Sequence, residues 1–150
     1  MKISISGIRG IFGPDLNLHA IMNFSRLFAS FIINNSTKTE NKCLVARDTR
    51  PSSYLIFQTV SAAIMEQGIN VLDLGIAPTP FVFHESIKYG NGIIVTASHN
   101  PFEWNGLKFI INGRGIFEKE LDLIQHENIL SSTQFGEMYA LNSNYISDIL

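Results

Sequence analysis

A polar segment between two apolar runs carries the side chains in this chain that are best suited to chemistry. The apolar runs cover residues 93–95 and 107–111, and the segment between them contains Ser98, His99 and Asn100. Short apolar runs rich in branched residues and bounded by turn signals are typical of buried strands. Functional residues often lie on loops held by rigid elements. The sequence therefore predicts a functional loop between two strands.

A serine hydrolase is one interpretation of the adjacent Ser98 and His99. However, neighbouring side chains in an extended loop usually point apart, and the chain has no GxSxG turn that would bring them together. The other three histidines, His19, His84 and His126, lie in segments with a helical pattern. We therefore expect no Ser-His-Asp hydrolase.

A phosphoryl carrier fits Ser98 better. A phosphoserine carries about −1.5 to −2 charges near neutral pH, so it needs cationic partners during transfer. Lys108 lies in the strand that leaves the loop, and Arg9 lies between two glycines that let the backbone approach an anion closely. The alternative for Arg9 is a plain glycine-rich turn with a solvated side chain.

Charged residues also cluster where a predicted strand leads into a helix. Arg47, Asp48 and Arg50 precede Pro51, a residue that favours the start of a helix. The carboxyl end of a parallel strand is a common ligand site in α/β proteins. The alternative is a local Asp–Arg pair that orders the turn. Both interpretations stay open from the sequence alone.

Apolar patterns typical of strands and helices alternate along the chain. Asn17 or Asp15 is predicted to cap a first helix that runs to about residue 34, and Gly68 to end a second helix that begins at Ser53. Further elements are predicted as helices over about 81–88 and 118–130 and strands over 43–46, 71–74, 93–95 and 107–111. This alternation indicates an α/β protein. We expect a three-layer α/β/α fold with a mixed, mostly parallel sheet of about four strands, the last of them antiparallel.

Composition excludes several classes of protein. The apolar fraction of 45% is ordinary for a globular domain, and a net charge of −2 lacks the basic excess of a nucleic-acid or acidic-membrane binder. The single cysteine, Cys43, rules out an intrachain disulfide framework and fits a small buried side chain. No apolar segment has the length of a signal peptide core or a membrane span, so we expect a cytoplasmic protein.

Four motifs in order along the chain resemble those of the α-D-phosphohexomutase family, which includes phosphoglucomutases, phosphomannomutases and phosphoglucosamine mutases. The most specific is TASHNP at residues 96–101, followed by WNGLKF at residues 104–109. The others are SGIRG at residues 6–10, RDTR at residues 47–50 and LGIAPTP at residues 74–80.

This resemblance implies a role for each residue of the loop. Ser98 would carry the phosphoryl group, passing it to a hexose monophosphate through a bisphosphorylated sugar intermediate. One oxygen of the phosphoserine would bind Mg²⁺, which makes Ser98 a metal ligand as well. Arg9 and Lys108 would assist transfer by charge or proton exchange, and His99 and Asn100 would shape the phosphate site. Trp104 is expected to pack or to shape the loop.

The resemblance also implies that part of the family pattern lies elsewhere. Members have four domains, and the chain matches only the first, so residues 1–135 are predicted to form that domain and residues 136–150 to begin the connection to a missing second one. The aspartate-rich DGD metal loop of the second domain is absent from the sequence, in which Asp122 and Asp148 stand alone. We therefore expect these 150 residues to be inactive without the remaining domains of the same protein, which would bind the hexose phosphate with them. The alternative is a stand-alone regulatory module that kept the fold and binds phosphate or protein.

Overall fold

The computed structural model describes residues 1–36 and 41–141. Residues 142–150 of the predicted connection, which include the isolated Asp148, fall outside the described residues.

Four helices lie within the described ranges: α1 at Leu18–Asn35, α2 at Ser53–Glu66, α3 at Thr79–Tyr89 and α4 at Glu118–Gln125. The predicted cap of α1 is confirmed, because the Asn17 side chain accepts a hydrogen bond from the Ala20 N–H at 2.9 Å. Gly68 follows the end of α2 with a left-handed φ of 85°, as its predicted role requires. The α4 helix is shorter than the predicted span of 118–130, since Ile129 at the far end of that span is exposed and gives the helix nothing to pack against.

Eight strands form one mixed sheet in the described part of the chain. They are β1 at Lys2–Ser4, β2 at Gly7–Ile11, β3 at Lys42–Arg47, β4 at Asn70–Ile76, β5 at Asn91–Val95, β6 at Trp104–Ile111, β7 at Arg114–Gly115 and β8 at Met138–Ala140. The order across the sheet is β1-β2-β6-β5-β3-β4-β8, with β7 paired to β6.

The α/β class and the mixed sheet are therefore confirmed, whereas the predicted number of about four strands is too low. Pairings of β3 with β4, β3 with β5 and β4 with β8 are parallel, and the four remaining described pairings are antiparallel. The sheet is thus less parallel than predicted, because the missed strands β1, β2 and β7 all pair antiparallel. They were missed because β1, β7 and β8 have only two or three residues and β2 is rich in glycine, so none shows a long apolar run.

Helices cover both faces of the sheet. Along β3, Cys43 and Val45 join the apolar cluster that contains residues of α1, α2 and α4, whereas Leu44 and Ala46 join the cluster beneath α3. This is the alternation expected of a strand buried on both faces. Of the four described helices, only α3 lies on that second side of the sheet.

The sheet also defines where the predicted functional loop lies. Residues 96–103 connect β5 to β6, which pair antiparallel in the register Ile94 to Lys108 and Val95 to Leu107. The carboxyl ends of the parallel strands β3 and β5 meet at the same edge. The loop therefore leaves the sheet beside the turn that follows β3.

Residues 138–140 extend the same sheet, because β8 pairs in parallel with β4. The boundary at residue 135 and the onset of a second domain stay predictions. Within residues 1–36 and 41–141, no helix has both the length and the apolar character needed to cross a membrane.

Candidate active site

Ser98 occupies an unusual backbone conformation at the start of the loop. Its φ is 55°, in the left-handed region that residues other than glycine seldom adopt. The Ser98 N–H donates to the Thr96 hydroxyl at 3.1 Å, and the Asn100 N–H donates to the Ala97 carbonyl at 3.1 Å. Ser98 and His99 are both exposed. The loop thus presents the serine to solvent on a tight, hydrogen-bonded turn.

Arg50, on the turn after β3, holds this loop from beneath. Its Nη2 donates to the Ser98 carbonyl at 2.7 Å, and its Nη1 donates to the carbonyls of Pro101 at 2.6 Å and Trp104 at 3.2 Å. The Nε donates to Asp48 Oδ2 at 3.0 Å, so the predicted local Asp–Arg pair is present. Sequence reasoning missed the contacts with the loop, since backbone carbonyls leave no signal in the side-chain pattern.

Asp48 is fixed in turn by a buried polar network. Its Oδ1 accepts hydrogen bonds from the Arg50 N–H at 3.1 Å and from the Ser53 hydroxyl. The amide of Asn105, which is fully buried, donates to the hydroxyls of Ser52 and Ser53 at 2.9 Å each. These contacts tie the start of α2 to β6, so the turn that carries Arg50 and the strand that follows the loop are held as one unit.

Arg9 lies on β2 directly opposite Gly106 of β6. Its Nη2 donates to the Ser6 carbonyl at 3.2 Å. A cleft of about 270 Å³ lies beside it, and its lining includes Arg9, Lys2, Asn100 and Trp104. Because Lys2 pairs with Arg9 across the β1–β2 hairpin, two cationic side chains stand next to each other at this cleft. Two neighbouring cationic side chains suit an anion.

Lys108 lies two residues beyond Gly106 on β6, and alternation along the strand puts it on the same face of the sheet as Arg9. Its Nζ is 5.2 Å from the centroid of the Phe83 ring on α3. The structure therefore brings Arg9 and Asn100 to one cleft, whereas Ser98, His99 and Lys108 do not line it.

A metal site needs several ligand side chains within reach of one ion. In residues 1–36 and 41–141 no group of three or more His, Cys, Asp or Glu side chains is arranged to hold a metal ion. Ser98 would add phosphate oxygens when phosphorylated, and these are suitable ligands for Mg²⁺. By themselves, the described residues do not make a complete Mg²⁺ site.

Comparison with known proteins gives a consistent result. Residues 1–133 match the family model described as phosphoglucomutase/phosphomannomutase, alpha/beta/alpha domain I. The chain is 38% identical to a phosphoglucosamine mutase of Campylobacter fetus over 96% of this chain and 33% of that protein. It is 36% identical to a phosphoglucosamine mutase of Prochlorococcus marinus over 77% of this chain and 25% of that protein.

A solved structure shares the fold. A phosphoglucomutase/phosphomannomutase family protein from Burkholderia thailandensis superposes with a TM-score of 0.76, at 24% identity, over 93% of this chain and 33% of that chain. The chain thus spans about a third of the length of the relatives it matches. The match over residues 1–133 confirms the resemblance of the four motifs, and the chain belongs to the phosphoglucomutase/phosphomannomutase family of α-D-phosphohexomutases.

Proposed function

We propose that this chain is the phosphoserine-bearing domain of a phosphohexomutase, an intramolecular phosphotransferase that interconverts hexose 1-phosphate and hexose 6-phosphate. The observation that carries the proposal is the exposed Ser98, held with a φ of 55° on a braced loop within a family-matched domain. The position of Arg9 and Asn100 in a cationic cleft on the neighbouring strand and loop supports it.

In the first half of the proposed reaction, a hydroxyl oxygen of the sugar forms a bond to the phosphorus of phosphorylated Ser98 as the bond from phosphorus to Oγ breaks. The proton given up by the hydroxyl passes to the released serine oxygen. The resulting sugar bisphosphate reorients, and its other phosphate returns to Ser98 by the reverse exchange, so atoms and charge balance over the cycle. Arg9 stabilises the phosphate by its positive charge.

Lys108 is the second proposed cation. Because its ammonium group lies against the Phe83 ring, it would have to turn from this contact to reach the phosphate. The contact between a cation and an aromatic ring stabilises by only about 0.5–1 kcal/mol at exposed sites, so breaking it would cost little free energy. His99 and Asn100 are proposed to shape the site and to donate hydrogen bonds.

Mg²⁺ is the proposed cofactor, and it would offset phosphate charge when bound. Ser98 would hold it through a phosphate oxygen, and the remaining ligands are expected in further domains of the same protein, because the described residues do not complete a site. We expect little or no mutase turnover by these 150 residues alone, for the same reason. The proposed partners are thus a hexose phosphate and those domains. Glucosamine phosphates are the first to test, because relatives carry the name phosphoglucosamine mutase.

Intact-mass analysis of the gene product purified from its native host tests the proposal. We expect the mass of one phosphoryl group on Ser98 and hexose phosphate isomerisation by that product, with both lost in Ser98→Ala. Ser131→Ala, at an exposed serine outside the loop, is the matched control and should keep both. A phosphoryl group that persists on another residue in Ser98→Ala would refute the assignment. An unphosphorylated product of 16.8 kDa that is bound to another protein would favour the regulatory module instead.

A further inference from the structure

Arg50 makes more hydrogen bonds to the loop than any stabilising role within its own turn requires. Four of the five guanidinium N–H groups are directed at protein acceptors: one at Asp48, two at carbonyls of the loop and one at the carbonyl of Trp104, where β6 begins. The Arg50 side chain is only 12% exposed. With these donors engaged on the protein, Arg50 is poorly placed to bind a substrate phosphate itself.

The three carbonyls lie at the beginning, the middle and the end of the loop. They belong to Ser98, Pro101 and Trp104, the last being the first residue of β6. A planar guanidinium can bridge acceptors in several directions at once, which an ammonium group on a flexible stem does not reproduce. A single side chain therefore fixes the whole span of the loop relative to the end of β3.

Ser98 is held from both sides of its backbone. Its N–H donates to Thr96, and its carbonyl accepts from Arg50. A left-handed conformation of a serine is costly and persists only where surrounding contacts enforce it. Without Arg50, we expect the backbone of Ser98 to relax toward an ordinary region, which would redirect its Oγ.

We propose that Arg50 is the positioning residue for the phosphoryl-carrying serine: it acts on Ser98 through the loop carbonyls and not on the substrate. This role rests on the proposed function, because it presupposes that Ser98 carries the phosphoryl group. Arg9, which lines the cleft, serves the bound anion instead. The two arginines should therefore affect different kinetic parameters.

Amide hydrogen exchange on this chain tests the brace without any assay of activity. In Arg50→Ala, the N–H groups of Ser98, Asn100 and Trp104, which are all bonded within the loop, should exchange at least about tenfold faster. Arg26→Ala is the matched control, since Arg26 makes a comparable ion pair with Glu66 between α1 and α2, away from the loop. Unchanged exchange of the loop in folded Arg50→Ala would overturn the proposal.

Steady-state kinetics of the native gene product test the positioning role. Arg50→Ala should lower kcat by about 10- to 100-fold, because a small displacement of the reacting atom is sufficient for such a loss. The KM for the hexose phosphate should stay within about twofold, because binding through the Arg9 cleft is intact. Arg9→Ala, in contrast, should raise KM in addition to lowering kcat. An Arg50→Ala variant with normal kcat, or with its loss confined to KM, would refute the role.

Arg50→Lys covers the case in which Arg50→Ala does not fold. Lysine keeps the positive charge beside Asp48 but lacks the planar guanidinium that donates to several carbonyls at once. We therefore expect the amide hydrogens of the loop to exchange faster and kcat to fall, while the fold is retained. Wild-type kinetics in Arg50→Lys would overturn the proposal as well. If the wild-type gene product has no mutase activity, the proposed function fails, and the exchange measurements still decide whether Arg50 braces the loop.

Discussion

Replacing Asn105 with aspartate, which has almost the same shape, probes how protons are distributed in the buried network under the loop. The Asn105 side chain donates to Ser52 and Ser53 and accepts from the Gly106 N–H at 2.9 Å. Ser53 has one hydroxyl proton, and it is donated to Asp48. An aspartate at position 105 would still accept from Gly106, and Ser52 can rotate to donate to it. Ser53 has no proton left for it, so two oxygen acceptors would face each other.

The magnitude follows from the burial of this position, where Asn105 has no exposed surface. An unmet buried hydrogen bond costs about 1–3 kcal/mol, and an uncompensated buried charge adds to that, so we expect a loss of about 3–5 kcal/mol near pH 7. Burial and the nearby Asp48 would raise the pKa of the new carboxyl. Because the protonated form is then favoured in the folded state, the loss should shrink as the pH falls toward about 4.

Urea denaturation followed by circular dichroism at both pH values measures this loss. Asn23→Asp, at an exposed position on α1, is the isosteric control and should change stability by less than about 0.5 kcal/mol. The proposed proton arrangement would be refuted if Asn105→Asp were no more destabilising than this control near pH 7. It would also be refuted if the loss grew in acid.

Three further predictions concern the scaffold. Asn17→Ala removes the acceptor of the Ala20 N–H and should lower the free energy of unfolding by about 1 kcal/mol, measured by urea titration. Hydrogen bonds from Arg114 hold the pKa of Glu120 below its ordinary value, so the stability gained from this carboxylate is present at neutral pH and is lost as the pH falls through the lowered pKa. Glu120→Gln should therefore lower the free energy of unfolding by about 1 kcal/mol near pH 7, a small value because the ion pair is partly solvated. In acid the free energies of unfolding of the variant and the wild type should become equal. Burial raises the pKa of the Cys43 thiol far above its ordinary value, so a thiol reagent near pH 8 should modify Cys43 only as fast as the protein unfolds.

Each of these has a clear contrary result. Unchanged stability of Asn17→Ala would show that α1 does not depend on its cap. A difference between Glu120→Gln and the wild type that widens in acid would reverse the assigned sign. Modification of Cys43 faster than unfolding would show that the thiol is accessible in the folded state.

The sequence was sufficient for features that depend on local signals. The cap at Asn17 and the left-handed Gly68 each depend on residues close in the chain. Asn-Gly is a dipeptide typical of hairpin turns, and Asn112 and Gly113, with φ of 47° and 83°, join β6 to β7 as a two-residue hairpin. The α3 helix begins at Thr79, two residues before the predicted start, because Pro80 fits the first turn of a helix.

The parts that were missed depend on partners remote in sequence. The β2 strand is recognisable only through its pairing with β6, since its own glycines hide the pattern of a strand. From the sequence, Arg50 belonged either to a ligand site or to a local pair with Asp48, and its contacts with loop carbonyls have no side-chain partner that a motif could show. Asn105 lay in a recognised motif, yet its role came from two serines about a third of the chain away. The motifs pointed to Arg50 and Asn105, but only the folded structure shows the contacts that these side chains make.

The pairing of β2 with β6 also limits the order in which parts of the sheet can fold. Ile8, near the start of the chain, pairs with Leu107, so β2 has only β1 as a partner strand until β6 has been made. Contacts between such distant residues close large loops and form late. Until β6 is available, the glycine-rich N-terminal hairpin is an unpaired edge open to wrong partners. We therefore expect the cationic cleft to be among the last features to form, so that a chain interrupted before residue 107 would include α1, α2 and α3 but have no anion site.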